Sequence, residues 1–380
     1  MITNTISIFG GSARNKGALL MLDSTLKLLN KKGVKKVIIF TPFLKEDEKF
    51  INIYKPLFNE IEIIAWNQKS IINSLLVGIF RLKITKINKA LHESDIVIDI
   101  SGISFVSKRG YKHFLYNCIS IYLPSLFVKK IIKYPQSFGP LKGIDKYIAK
   151  YFLNKCTTIF SRGYESKSTL DRINIKSTLI SDLGFLNHFD ELTNKGRFIG
   201  VQPSIVVKKY FDNNNINYEN FLVNLINSMS NLGYEIIIFP QAVHSSDRSN
   251  LFDDVSIIKS LESKIDDKNV TFIKKDMDLE ELFEIYKKLK ICITSRFHGM
   301  IMSLVSNVIP MVIGWNHKYH EILMSFNFDD LGFEIKEDIN QSVEIKFHEV
   351  VKKYDDYVER LIKNKNDYSN ESVLLLKSLD

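Results

Sequence analysis

Apolar positions along this chain fall into short, nearly unbroken runs separated by longer stretches with helical spacing. In the first half the runs Thr5–Phe9, Lys36–Thr41, Glu60–Trp66, Asp95–Ser101, Ile131–Pro135 and Thr157–Arg162 read as strands. Helical patterns lie between most of them, at Gly17–Lys31, Ile71–His92, Lys112–Lys129 and Ile144–Asn154. Strand alternating with helix is the pattern of a doubly wound parallel sheet. A polar stretch from Asn187 to Arg197 interrupts the rhythm and reads as a linker. It resumes with strands near Phe198–Gln202, Tyr234–Pro240, Val270–Ile273, Ile291–Ser295 and Ile309–Trp315. Val351, Tyr354, Tyr357, Leu361 and Ile362 then recur at helical spacing in a tail from about Gln341 to Leu379. The expected architecture is α/β, with two Rossmann-like domains at residues 1–190 and 195–380. The terminal helix can pack on its own domain or cross back to the first.

The segment Ile291–Trp315 carries the most chemistry. It reads as strand, charged turn, short helix, Pro310 and strand, and its strands have no polar face. Ser295, Arg296, His298 and Gly299 fall at the carboxyl end of one strand and the amino end of the next helix. Open α/β sheets bind ligands there, because free N–H groups and the helix dipole favour an anion. Arg296 offers a planar fork for carboxylate or phosphate, and His298 a group that moves a proton near neutral pH. A salt bridge and an ordinary surface histidine are the structural alternative.

Other strand ends offer weaker candidates. Gly10 to Gly17 joins the first strand to its helix, where Asn15 can cap the helix or meet a ligand. The spacing is Gly-Gly-x5-Gly, which is not a dinucleotide fingerprint. Arg162 ends another strand, either as a ligand contact or as a structural ion pair. His244 with Asp247 and Asp253 has loose spacing for a metal, and ordinary loop polarity is the stronger reading. Lys318 and His320 follow Trp315 and offer a second cationic contact or a solvated helix start.

Composition narrows the class. The 380 residues exceed one ordinary core, and 45% hydrophobic content suits a fully folded protein. The 52 basic and 43 acidic residues leave a net charge of +9, either background lysine or an attraction to anionic substrates or a membrane surface. No nucleic-acid motif accompanies that charge. Cys118, Cys156 and Cys292 are odd in number and widely spaced in apolar contexts, which points to reduced core residues in a cytoplasmic protein. The amino terminus lacks the pattern of a signal peptide, and Ile71–Phe80 and Phe114–Val128 are too short or interrupted to span a bilayer. A cytoplasmic location is expected, with peripheral contact at the inner face of the membrane left open.

Four stretches, in order, carry a resemblance. They are Ile8-Phe-Gly-Gly-Ser-Ala-Arg-Asn-Lys-Gly-Ala18, Tyr134-Pro-Gln-Ser-Phe-Gly-Pro140, Ile159-Phe-Ser-Arg-Gly-Tyr-Glu-Ser166, and Ser295-Arg-Phe-His-Gly-Met300 with the helix and strand beyond it. Together they resemble the Asn-x-Gly, Gln-Ser-x-Gly-Pro, Arg-x-x-x-Ser and Ser-Arg-Phe-His-Gly elements of the polysaccharide pyruvyl transferases, over about residues 6 to 320. The resemblance implies a GT-B architecture of two domains facing across a cleft. It implies transfer of a pyruvyl unit from phosphoenolpyruvate to a sugar of a cell-surface polysaccharide or its precursor, as a ketal. No cofactor or metal is implied. His298 is then the acid/base, with Arg162 and Arg296 clamping the donor from opposite domains. Ser295, Gly299, Lys318, Asn15, Gly17 and Gln136 are the further substrate contacts. The acceptor, lipid-linked or polymeric, falls to the first domain. The sequence departs from the family at Ala18, where many members carry an acid, so no acid/base role is placed there. A nucleotide-sugar glycosyltransferase and a non-catalytic carbohydrate-binding subunit are the alternatives.

Overall fold

The computed structural model describes residues 5–13, 15–186, 196–243, 253–314, 317–365 and 371–380. It divides into two compact units: Met1–Arg14, Ala18–Leu186 and Asn370–Asp380 form one, Asn15–Gly17 and Asn187–Ser369 the other.

The first unit runs β1 Thr5–Phe9, α1 Lys16–Lys32, β2 Lys36–Thr41, α2 Leu44–Ile51, β3 Glu60–Ala65, α3 Gln68–Gly78, α4 Lys86–Glu93, β4 Ile96–Asp99, β5 Ile103–Ser104, α5 Tyr111–Ser125, β6 Lys130–Phe138, α6 Asp145–Leu153, β7 Thr158–Ser161, α7 Tyr164–Asp171 and β8 Thr178–Leu179. Its parallel sheet has the order β3-β2-β1-β4-β6-β7-β8, with β5 beside β6. Side chains alternate across the strands. Ile6, Ile8, Val37 and Ile39 pack one face with α1, while Phe9, Ile38, Phe40 and Val97 pack the other with α3 to α6. Phe9 stacks on Phe40 at 4.4 Å, and Trp66 meets Phe9 edge-on at 4.7 Å.

The second unit runs β9 Phe198–Gln202, α8 Ile205–Asn213, α9 Tyr218–Asn231, β10 Ile236–Ile238, α10 Val255–Glu262, β11 Val270–Phe272, α11 Leu279–Tyr286, β12 Leu289–Thr294, α12 Phe297–Val305, β13 Ile309–Ile313, α13 His317–Ser325, β14 Gly332–Phe333, α14 Ile339–Lys352 and α15 Tyr354–Lys365. Its parallel sheet has the order β11-β10-β9-β12-β13-β14. The last helix, α16 Glu371–Lys377, belongs to the first unit. There Leu375 and Leu379 are buried beside the α1 face, and the Ser181 backbone N–H donates to Glu371 over 2.9 Å.

Two readings from the sequence need correction. The helix expected over Ile71–His92 is two helices. Asn67 and Ser70 form a capping box that starts α3, and Thr85 caps α4 through the Asn88 N–H. Between them Arg81 takes a left-handed φ of 55°, which ends the helical run. The strand expected to end at Pro135 runs on through Gln136-Ser137-Phe138 as the end of β6, where Gln136 pairs with Ser161 of β7.

Candidate functional site

In the second sheet the chain leaves β9 in one direction for β10 and returns to its other side with β12. Such a switch point leaves a crevice at the carboxyl ends of the two central strands. Gln202 ends β9 and lies level with Thr294, the end of β12. Both are fully buried, and their polar groups bond to each other rather than to solvent. Gln202 Oε1 accepts from Tyr286 Oη at 3.0 Å and Thr294 Oγ1 at 3.1 Å, while its Nε2 donates to Gln241 Oε1 at 2.9 Å. Burial raises the Tyr286 hydroxyl well above its ordinary pKa, so it acts as a fixed donor.

This network is the floor of the first turn of α12. A β-carbon at Gly299 would collide with Gln202 Oε1 and Thr294 Oγ1, so only glycine lets the helix start this close to the sheet. The Gly299 carbonyl accepts from Ser303 Oγ at 2.8 Å and Tyr286 Oη at 3.2 Å. Gly299 is therefore a packing residue in this unit, not a gap left for a ligand.

Above that floor sit the charged residues. Arg296 takes extended backbone angles at the N-cap of α12, which turns its side chain off the helix. Its Nε donates to Asp254 Oδ2 at 3.1 Å and its Nη2 to Oδ1, a two-pronged ion pair. Asp254 also accepts the N–H groups of Ile205, at 3.2 Å, and Ala242, at 3.0 Å. Its carboxyl is fully enclosed, and burial pushes its pKa up while Arg296 pulls it back. Arg296 keeps 18% of its side-chain surface exposed. Ser295 is buried, its hydroxyl within 3.0 Å of Tyr218 Oη and its carbonyl accepting from Tyr319 Oη at 3.4 Å. His298 is half-buried one residue into the helix, with the Phe297 ring edge-on at 5.2 Å. Ser204, Gln241, Ser295, Arg296, His298 and Tyr319 all line one cavity. An oriented guanidinium, an imidazole and a helix amino terminus thus converge, which suits an anion next to a proton-transfer step.

The first unit repeats the topology. The chain switches direction between β1 and β4. A cavity of about 410 Å³ opens there, lined by Gly10, Gly11 and Ser101 beside Phe105, Arg109 and Tyr116. Gly10 has φ 84°, and a β-carbon there would strike Ser101. Beneath it lies a buried pair, Lys133 Nζ to Asp99 Oδ2 at 2.6 Å, with Ser104 Oγ at 3.1 Å.

Two of the other expected contacts join this site and the rest lie apart. Asn15 lines the same cavity as Ser295, Arg296 and His298, its Oδ1 accepting the Gly17 N–H at 2.9 Å at the start of α1, and a β-carbon on Gly17 would strike the His298 ring. Gln136 is fully buried and donates to the Asp99 carbonyl at 2.6 Å and to its carboxylate at 3.1 Å. Arg162, 6% exposed, pairs with Asp182 and donates to Ser137 Oγ at 3.1 Å and the Gly102 carbonyl at 3.0 Å. Both were expected at a ligand; in the structure the Arg162 fork and the Gln136 amide nitrogen hold strand ends together, while the buried Gln136 Oε1 has no hydrogen-bond partner among the described residues. The Lys318 side chain, His244, Asp247 and Trp315 lie outside the described residues. Asp253 accepts the Val255 N–H at 3.1 Å, and among the described residues no cluster of His, Cys, Asp and Glu suits a metal ion.

Sequence reasoning overlooked Asp254, Gln202, Gln241, Tyr218 and Asp99. Gln202, Gln241 and Asp99 carried a usable signal, a polar residue at or just past the end of an otherwise apolar strand. Asp254 carried none, since it precedes α10 and lies 42 residues from Arg296.

Solved structures of low sequence identity share the fold. The putative UDP-N-acetylglucosamine 2-epimerase of Listeria monocytogenes superposes with a TM-score of 0.63 at 10% identity, covering 100% of this chain and 96% of that one. The UDP-GlcNAc 2-epimerase of Methanocaldococcus jannaschii gives 0.55 at 13%, covering 96% and 93%. The UDP-forming α,α-trehalose-phosphate synthase of Burkholderia vietnamiensis gives 0.56 at 8%, covering 99% and 100%. The fold is accordingly GT-B-like, two parallel-sheet α/β domains. No curated protein sequence matches the chain. A family model described as polysaccharide pyruvyl transferase matches residues 15–317, which include the Arg296–His298 turn. The chain belongs to the polysaccharide pyruvyl transferase family and is a transferase enzyme.

Proposed function

We propose that phosphoenolpyruvate is the donor and that the turn from Ser295 to Gly299 receives it. Family membership supports polysaccharide pyruvyl transfer. The observation that carries the finer reading is the fork of Arg296, fixed by Asp254 at the amino terminus of α12 and followed two residues later by His298. The donor has a carboxylate and a phosphate, and a planar guanidinium beside helix N–H groups suits either. In the reaction His298 delivers a proton to the methylene carbon of the donor while a sugar hydroxyl attacks the adjacent carbon. A second hydroxyl then displaces phosphate, and the products are a pyruvate ketal and inorganic phosphate. Positioned acid/base groups contribute about 10²–10⁴-fold to such steps. The donor clamp is reduced to Arg296, because the Arg162 fork is engaged by Asp182, Ser137 and Gly102. The cavity of the first unit, with Phe105 and Tyr116 beside Arg109, has the aromatic and polar character that suits a saccharide acceptor.

The test is thermal unfolding of the purified protein with phosphoenolpyruvate, and separately with UDP- and GDP-sugars. A ligand at 100 times its dissociation constant adds about 2.7 kcal/mol. Stabilisation by phosphoenolpyruvate, lost in Arg296→Ala and kept in His298→Ala, is the expected pattern. Stabilisation by a nucleotide sugar alone would replace this reading with glycosyl transfer.

A further inference from the structure

We propose that the α3–α5–α6 face of the first unit docks on an anionic lipid surface. This rests on surface chemistry and stands independently of the donor. Helix α3 buries Ile71 against the core, yet its outer side exposes Ile72 and Leu76 among Gln68, Lys69 and Asn73. The chain past its end adds Ile79, Phe80, Leu82 and Ile84, all exposed, Phe80 to 75%. Neighbouring helices extend the face. Gly78 packs α3 against Leu123 of α5, and Tyr122 of α5 meets Phe152 of α6 at 6.4 Å. Tyr111 and Leu115 project from α5, and Ile144, Tyr147 and Tyr151 from α6 and its start, with Tyr147 76% exposed. An apolar area of this extent marks an interaction surface.

Charge identifies its occupant. No acid lies between Glu62 and Glu93, or between Asp99 and Asp145. Residues 63–144 hold twelve Lys and Arg against three acids, a surplus equal to the whole chain's +9. Lys69 of α3 and Arg81, Lys83 and Lys86 beyond its end are exposed, as are Lys112 next to Tyr111 and Lys146 next to Tyr147 in sequence. Exposed aliphatic and tyrosine side chains ringed by cations match the headgroup region of an anionic bilayer, where rings seat at the interface and Lys and Arg meet phosphates. No helix among the described residues is long and apolar enough to cross a membrane, so the contact is peripheral. Arg109 and His113 line the 410 Å³ cavity and sit at the start of α5, beside Tyr111 and Leu115. A sugar carried on a lipid phosphate would reach that cavity from the docked face.

The experiment is cosedimentation of the full chain with phosphatidylcholine vesicles, with and without phosphatidylglycerol. Each basic residue near an anionic surface is worth about fivefold in partition. Wild type is expected to pellet with the anionic vesicles and to be released by salt. Arg81→Glu/Lys83→Glu and Ile79→Ser/Phe80→Ser should each lower binding at least about tenfold at unchanged melting temperature. Lys209→Glu/Lys352→Glu, charge reversals in the second unit, should leave binding as it was. Wild type remaining in the supernatant would overturn the proposal, as would equal binding to neutral vesicles. A stable dimer broken by Ile79→Ser/Phe80→Ser, without lipid binding, would give the face to a second copy instead.

Discussion

Asp254→Asn tests whether Arg296 is held by a single buried carboxylate. That carboxylate accepts two prongs from Arg296 and two backbone N–H groups, from Ile205 and Ala242. Asparagine keeps one acceptor and presents an amide N–H₂ to donors, so the site loses a charge pair and gains a donor–donor contact. Breaking a buried pair by removing one partner costs about 3–5 kcal/mol. Arg296 remains 18% exposed and can recruit water, which places Asp254→Asn near the low end, at about 3 kcal/mol. Arg296→Met leaves an uncompensated charge on a fully enclosed carboxylate and falls in the same range. Removing both charges removes the reason for either penalty. The double variant should therefore be more stable than the sum of the singles by about 2 kcal/mol or more. Urea unfolding followed by circular dichroism measures all four corners of the cycle. Additivity within about 0.5 kcal/mol would refute the coupling and, with it, the claim that Asp254 orients the fork.

Two further substitutions probe the surroundings of the site. Gly299→Ala should destabilise by about 1–3 kcal/mol, because its β-carbon must displace Gln202 or Thr294, and this outweighs the helical preference for alanine; an unchanged urea midpoint would contradict the packing role. Glu219 accepts from Lys264 at 2.5 Å, Ser260 at 2.5 Å and Lys208 at 2.9 Å, and the Lys264 bond leads in lowering its pKa from 4.5 to about 2. A depressed carboxyl stabilises the fold above its unfolded pKa. Glu219→Gln should thus cost about 1–2 kcal/mol at neutral pH and show a deficit that closes as pH falls from 4.5 towards 2; a deficit independent of pH would argue against the charge.

The fold was legible wherever an element is made by one local pattern. Thr5–Phe9, Lys36–Thr41 and Phe198–Gln202 are strands to the residue, since a short, mostly apolar run between polar turns leaves the chain few options in a sheet covered on both faces. Legibility failed where two local signals competed. The apolar content of Ile71–His92 suggests one helix, but Asn67 and Thr85 each offer a start, and a cap bond outweighs continuity across an exposed turn.

The candidate site divides along the same line. Arg162 and Arg296 look alike in sequence, each an arginine just past an apolar strand. What separates them is the partner each meets from a distant part of the chain. Asp182 arrives beside Arg162 together with Ser137 and Gly102, and these acceptors engage both the ε nitrogen and the two η nitrogens from within the unit. Asp254 meets Arg296 along one edge, through Nε and Nη2, and the side chain still lines a cavity. A guanidinium enclosed by its own protein fixes strand ends, whereas one gripped along a single edge is aimed. Strand position therefore picks out the candidate arginines, and the geometry of the partner carboxylate separates an enclosed fork from an aimed one.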